Sequence, residues 1–350
     1  MFTPEIVKRF DPTGMLSLIE TFPAQVQEAV EIGKKADLGD LKKEAQKFNS
    51  LIFLGMGGSA IGGDLARAVF ADELKIPMLV NREYHLPAFV GEKTLVIASS
   101  YSGNTEETIS ALNEAKEKKA RILCITTGGK IAEIAKANNY PLILIPGGIS
   151  PRAALGYSFF PILVVFNRLG FISDKNEAVE ETLKLLKEMK TELSLATPGN
   201  LAETLAKKLY ARIPLIYGSD GFRGVVASRW KGQINENSKH LAFWNAFSEL
   251  NHNETVGWEN PKLTQEIHLV ILRDNEDVRM KKRIEVTSEI IRPHVHGITE
   301  VSSRGVSDIA RMFSLIYFGD FVSWYLAMLN YADPTPVKVI DHLKKELAKL

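Results

Sequence analysis

The run Ser99-Ser100-Tyr101-Ser102-Gly103-Asn104-Thr105-Glu106-Glu107 concentrates hydroxyls where a strand gives way to a helix. Apolar Leu95-Val96-Ile97-Ala98 precedes it, and helix-like Thr108-Ile109-Ser110-Ala111-Leu112 follows. A helix N-terminus offers unpaired N–H groups and a partial positive charge, and Ser and Thr hydroxyls add donors, so the pattern is that of an anion cradle. No Lys or Arg interrupts it, which suits a phosphate ester that must also leave. A second turn, Gly55-Met56-Gly57-Gly58-Ser59-Ala60, formally matches the glycine fingerprint of dinucleotide folds. That reading asks for an acidic residue about 20 positions on, at the end of the second strand. There Leu79-Val80-Asn81-Arg82-Glu83 offers only a displaced Glu83, and the hydroxyl loop would be left unexplained. No Gly-Lys-Ser/Thr follows the turn, which excludes a Walker loop. Together the two turns fit a single sugar phosphate better.

These turns need strands and helices to hold them. Leu51–Gly55, Met78–Val80, Thr94–Ala98, Arg121–Thr126 and Leu142–Ile145 read as strands, with helical segments at Ala60–Phe70, Glu106–Lys118 and Ile131–Asn138 between them. Such alternation predicts α/β domains, each a mainly parallel sheet flanked by helices in a doubly wound, flavodoxin-like arrangement. Residues 1–150 form the expected first domain. Residues 151–209 are a charged helical connector broken at Pro198-Gly199, and 210–350 are the second domain. Its strands are expected at Ile213–Tyr217, His268–Leu272 and Ile298–Val301, and two helices, Asp308–Leu329 and Asp333–Lys349, close the chain. Ile52-Phe53-Leu54-Gly55-Met56-Gly57-Gly58-Ser59 and Leu215-Ile216-Tyr217-Gly218-Ser219-Asp220-Gly221 each set a Gly/Ser turn between strand and helix, a hint of internal duplication.

At 350 residues two domains are the default, and a net charge of +1 makes no electrostatic case for nucleic acid or an anionic membrane. The apolar run Phe159–Phe166 is too short to span a bilayer, and Met1-Phe2-Thr3-Pro4-Glu5 lacks a signal-peptide pattern. The lone cysteine, Cys124, is read as core filler, and one thiol cannot form an internal disulfide, so a reducing cytoplasm is expected.

On these turns the chain resembles the sugar isomerase (SIS) family. Further segments narrow the resemblance to the bifunctional phosphoglucose/phosphomannose isomerases. They are Ser150-Pro151-Arg152-Ala153-Ala154-Leu155-Gly156, Gln233-Ile234-Asn235-Glu236-Asn237-Ser238-Lys239, Glu249-Leu250-Asn251-His252-Asn253-Glu254 and Gly319-Asp320-Phe321-Val322-Ser323-Trp324-Tyr325-Leu326-Ala327. The resemblance implies aldose–ketose isomerisation of hexose 6-phosphates through an enediol, without cofactor or metal. It implies a homodimer in which His252 opens the sugar ring across the interface. Glu236 becomes the proton-shuttling base and Arg152 the fixed charge beside the enediolate, a role that suits a side chain which never gives up its proton. Gly57, Gly58, Ser59, Ser100, Ser102 and Thr105 become the phosphate cradle, with Ser99 and Asn104 assigned to holding the turn.

Glu236 is expected in the first turn of a helix whose apolar stripe is Leu241, Trp244, Phe247 and Leu250, with His252 just past its end. The resemblance also implies an active-site lysine near the C-terminus that helps open the ring, and periodicity chooses among the candidates. Val337, Val339, Ile340, Leu343, Leu347 and Leu350 form one apolar arc, and Lys344 falls within it, whereas Lys338, Lys345 and Lys349 lie opposite. Lys344 is preferred and Lys338 is the fallback. His294 and His296 alternate as if on one strand face, but no acidic or Cys partner completes a metal site. Other readings are an amino-sugar or pentose-phosphate isomerase of the same superfamily, or a non-enzymatic sugar-phosphate sensor.

Overall fold

The computed structural model describes residues 2–347 and 349. The chain divides into two compact units. One comprises Thr21–Lys184 with Ser307–Ile309; the other takes the chain up to Glu20, Leu185–Val306 and the chain from Ala310 onward.

In the first unit, strands β1 (Ser50–Leu54), β2 (Met78–Asn81), β3 (Thr94–Ser100), β4 (Arg121–Thr126) and β5 (Leu142–Leu144) form a sheet of order β2-β1-β3-β4-β5. Every ladder is parallel. β1 and β3 are buried along their whole length, which is why they read as unbroken apolar runs rather than alternations. Helices α1 (Phe22–Lys35), α2 (Gly57–Val69), α3 (Glu106–Glu117), α4 (Gly129–Ala137) and α5 (Leu155–Arg168) belong to the same unit. α5, read from sequence as connector, packs against α1 and α2. A Cβ at Gly33 would come within 2.8 Å of Val164, and one at Gly62 within 2.6 Å of the Ser158 carbonyl oxygen. Its apolar residues on all sides demand this burial. α6 (Asn176–Leu193) then crosses into the second unit, where α7 (Leu201–Leu209) follows.

The second unit holds β6 (Ile213–Ser219), β7 (Phe243–Phe247), β8 (Ile267–Arg273) and β9 (Gly297–Ser302), in the order β7-β6-β8-β9 and again all parallel. This repeats the order of the first four strands of the other sheet, as duplication would. Besides α7 and several short helices, the unit contains α8 (Phe222–Ser238), α9 (Val278–Ile291), α10 (Asp308–Leu329) and α11 (Lys338–Leu347). α10 is long and apolar enough to cross a membrane by length and composition, but 94% of its apolar window is buried in the fold, so it is a core helix.

One expected element is corrected. Residues 241–248 form no helix: Phe243–Phe247 is the edge strand β7, paired with β6, and a single 3-10 turn, Glu249–His252, follows it. Leu241 and Trp244 are 63% and 42% exposed while Phe247 and Leu250 are buried, so the supposed stripe does not share a face.

Candidate functional site

Sheet order reverses direction between β1 and β3, and the crevice above their C-terminal ends is where open α/β sheets bind ligands. In register, Leu54 lies opposite Ala98, so the glycine turn and the hydroxyl loop leave the sheet side by side. Ser59 ties them together: its Oγ accepts from the Tyr101 N–H at 3.0 Å. Accepting that bond leaves its own O–H as a donor. Ser100 Oγ accepts from Gly103 N at 3.1 Å and shares a 2.8 Å bond with Thr105 Oγ1. Ser102 is exposed and accepts from Asn104 N, while Asn104 Oδ1 accepts from Lys130 N. Gly103, at φ +69°, must be glycine because a Cβ there would sit 1.9 Å from the Gly128 carbonyl oxygen.

Two helices, α2 and α3, open onto this crevice. Their N-cap residues are Met56 and Thr105, and neither side chain accepts a bond from its own helix. Met56 has no oxygen to offer, and the Thr105 hydroxyl is bonded to Ser100. The Ser59 N–H donates to Met56 O at 3.0 Å, but no N-cap side chain takes the first-turn N–H groups of either helix, which is the donor set an oxyanion needs.

Arg152 is brought to the same place. It lies on a single 3-10 turn, Pro151–Ala153, that rests on the start of α2 and is 5% exposed. Gly58 permits the contact: a Cβ there would lie 2.7 Å from the Pro151 carbonyl oxygen and 3.2 Å from Arg152 N. Gln25 clamps the turn from the other side, donating to Ala153 O at 2.9 Å and accepting from Gly156 N at 2.7 Å. Gly57, Gly58, Ser59, Ser100, Ser102, Thr105 and Arg152 thus belong to one unit around one crevice.

Glu236, His252 and Lys344 belong to the second unit, on three separate elements. Glu236 sits in the last turn of α8, not the first turn of a helix as expected, and is half-buried. Its flanks are pinned. Asn235 Oδ1 accepts from Ala242 N at 3.0 Å, Asn237 Nδ2 donates to Ser323 Oγ at 3.0 Å, and Ser238 Oγ donates to Ser323 O at 2.6 Å. One turn earlier, Gln233 donates to Asp320 Oδ1 at 2.7 Å, and Arg229 pairs with the same carboxylate at 2.9 Å. Burial pushes the Asp320 carboxyl up and the Arg229 guanidinium opposes it. A charge inside the apolar run of α10 was the sequence signal that could have disclosed this buried pair.

His252 follows a strand rather than a helix. It ends the 3-10 turn Glu249–His252 and is exposed. Its neighbours are held: Asn251 Nδ2 donates to Thr287 Oγ1 at 2.8 Å, and Glu254 accepts from Asn245 Nδ2 and from the Tyr217 hydroxyl. α11 has no buried residue, so Lys344 and Lys338 are both exposed, as are Val339, Ile340, Leu343 and Leu347 of its apolar arc. Leu350, counted in that arc, lies outside the described residues.

His294 and His296 do not share a strand face. His294 ends a 3-10 turn, and His296 Nδ1 lies 3.2 Å from His268 Nδ1. Burial first, then His296, Lys208 and Arg212, holds the His268 imidazole down at about 4. Among the described residues no three His, Cys, Asp or Glu side chains group as metal ligands. Cys124 is buried on β4, and burial pushes its thiol up to about 12.

Known proteins share this architecture and sequence. The SIS domain family matches residues 46–169, and the bacterial phospho-glucose isomerase C-terminal SIS domain matches residues 199–347. The chain is 49% identical to a bifunctional phosphoglucose/phosphomannose isomerase of Caldicellulosiruptor bescii over 96% of its own length and 99% of the relative's. It is 41% identical to one of Thermoplasma acidophilum over 86% of the chain and 90% of the relative. The solved tagatose-6-phosphate ketose/aldose isomerase from Escherichia coli shares the fold, with TM-score 0.69 at 16% identity over 93% of this chain and 97% of that one. Two parallel sheets, each within an SIS match, and near-half identity over full length lead to one conclusion: the chain belongs to the bifunctional phosphoglucose/phosphomannose isomerases.

Proposed function

We propose that this chain interconverts glucose 6-phosphate, and mannose 6-phosphate, with fructose 6-phosphate through a cis-enediol. The observation that carries the proposal is the crevice between β1 and β3, where two uncapped helix N-termini meet clustered Ser and Thr hydroxyls. Gly57, Gly58, Ser59, Ser100, Ser102 and Thr105 hold the phosphate there. Arg152, buried and permanently charged, stands beside the developing enediolate. Glu236 moves the proton between C2 and C1, and His252 with Lys344 opens the ring. Glucose and mannose differ only at C2 and share one enediol, so a single base serves both once the intermediate turns about C2–C3.

A homodimer completes the reading, with His252 contributed by the partner subunit. Leu241 just before the edge strand, Phe243 and Trp244 on it, Val256 four residues past His252, and Val339, Ile340, Leu343 and Leu347 of α11 are all exposed. Such apolar surface supports association with a second copy. A single cysteine, which cannot form an internal disulfide, supports a cytoplasmic setting.

The test is an isomerase assay with both hexose 6-phosphates in the presence of a chelator. Turnover of both supports the proposal, whereas tight binding without turnover supports a sensor. Glu236→Gln should lower kcat by roughly 10²–10⁴-fold, as expected for a lost general base, while fructose 6-phosphate still binds. A folded variant that no longer binds would remove Glu236 from that role.

A further inference from the structure

The second sheet has its own reversal point, between β6 and β8, and there the crevice is filled. Tyr217 lies opposite Ile271 as Leu54 lies opposite Ala98, so Asp274 takes the place in the second half that Tyr101 takes in the first. Its side chain is 1% exposed, and both carboxylate oxygens are engaged. Arg223, from the first turn of α8, donates to Oδ2 at 2.9 Å; Arg311 Nε and the Ser303 hydroxyl donate to Oδ1 at 2.9 and 2.6 Å. Arg223 is itself fixed by bonds to Ser219 Oγ at 2.6 Å and to Asp220 O at 2.8 Å. Two guanidiniums and a hydroxyl converging on one point are the donor set of a tetrahedral oxyanion site. The counterpart of α3 is treated alike. α9 is capped by its own Asp277, whose Oδ1 accepts from Met280 N at 2.9 Å, where α3 has no such cap.

We propose that the second half keeps an oxyanion cradle built from Arg223, Arg311 and Ser303, and that the Asp274 carboxylate occupies it permanently. The chain therefore takes one phosphorylated sugar, in the first half only. This rests on the reading of the β1–β3 crevice as the phosphate site. Both crevices descend from one strand–turn–helix plan. In the second, the anion is supplied by the chain, and the half is freed to present other groups.

Inorganic phosphate is the probe, measured by equilibrium dialysis on the full chain. The unaltered protein should bind one phosphate per chain, and Ser100→Ala with Thr105→Val should abolish it. Asp274→Gly should bind two, and adding Arg223→Met should remove the second alone. If Asp274→Gly is too unstable for dialysis, its thermal midpoint should rise with phosphate, against sodium chloride of equal ionic strength, by more than that of the unaltered protein. No second phosphate and no larger rise overturns the proposal. So does an unaltered chain that binds two and loses one on Arg223→Met. Phosphate binding that survives the Ser100 and Thr105 changes refutes the first-half reading instead, and the Asp274→Gly comparison still decides this one.

Discussion

Gly58→Ala puts one methyl group into the contact that seats Arg152. The added Cβ would lie 2.7 Å from the Pro151 carbonyl oxygen, against at least 3.4 Å for ordinary contact, a shortfall of about 0.7 Å. Both neighbouring atoms, Pro151 O and Arg152 N, are backbone, so no side chain can swing away; the 3-10 turn itself must lift. Overpacking of this kind costs about 1–3 kcal/mol, offset by at most about 1 kcal/mol from the better helix propensity of alanine. A net loss of about 1–2 kcal/mol, near the middle of that balance, corresponds to a fall in Tm of roughly 2–8 °C for a unit of this size. Gly62→Ala is the matched control. Its Cβ would lie 2.6 Å from Ser158 O, one turn further along the same helix and away from the turn that carries Arg152. Both variants should lose similar stability by thermal melting. Only Gly58→Ala should lose kcat/KM on fructose 6-phosphate, by about 10- to 100-fold, since displacing the group proposed to stabilise the enediolate by nearly 1 Å costs that much. Unchanged kcat/KM in folded Gly58→Ala, or an equal loss in Gly62→Ala, would refute the idea that this glycine seats Arg152.

Two further expectations concern titration and reactivity. An unfolded imidazole takes up its proton near 6.5, whereas in the fold His268 is held down at about 4. The unfolded state therefore binds the extra proton between these values. The stability His268 contributes is full above pH 6.5 and lost as pH falls toward 4, by about 3 kcal/mol in all. His268→Gln should flatten the denaturation midpoint against pH across that window; an unchanged slope would contradict the assignment. Cys124, buried with its thiol pushed up to about 12, should resist alkylation at pH 8 until the chain is denatured, and rapid labelling of native protein would contradict its place in the core.

The first unit was largely legible because its strands are short apolar runs between turn residues, and Arg121–Thr126 fell on β4 itself. The site loops announced themselves by composition, yet the Ser59–Tyr101 bond and the Gly58 contact join residues far apart in sequence and leave no local trace. In the second unit α8 is buried on several faces, with Phe222, Val226, Trp230 and Ile234 set among buried Arg229, Gln233 and Asn237. Such a helix has no amphipathic stripe, so periodicity does not find where it ends, and Glu236 falls in its last turn rather than in the first turn of the next. β7 is an exposed edge strand whose aromatic residues do not alternate in burial, and it passed for helix.

The path of the chain through the second unit also bears on how the protein is made. Thr21–Lys184 is nearly continuous, and it has most of its partners as soon as that stretch leaves the ribosome. The other unit waits. Its buried helix Asp308–Leu329 arrives late, ahead only of α11, and Arg229 has Asp320 to neutralise it only when translation is almost finished. Through most of synthesis α8, which carries Glu236, lacks the helix to which its buried Arg229, Trp230 and Asn237 are bonded, making this half the more exposed to aggregation and the more dependent on chaperones.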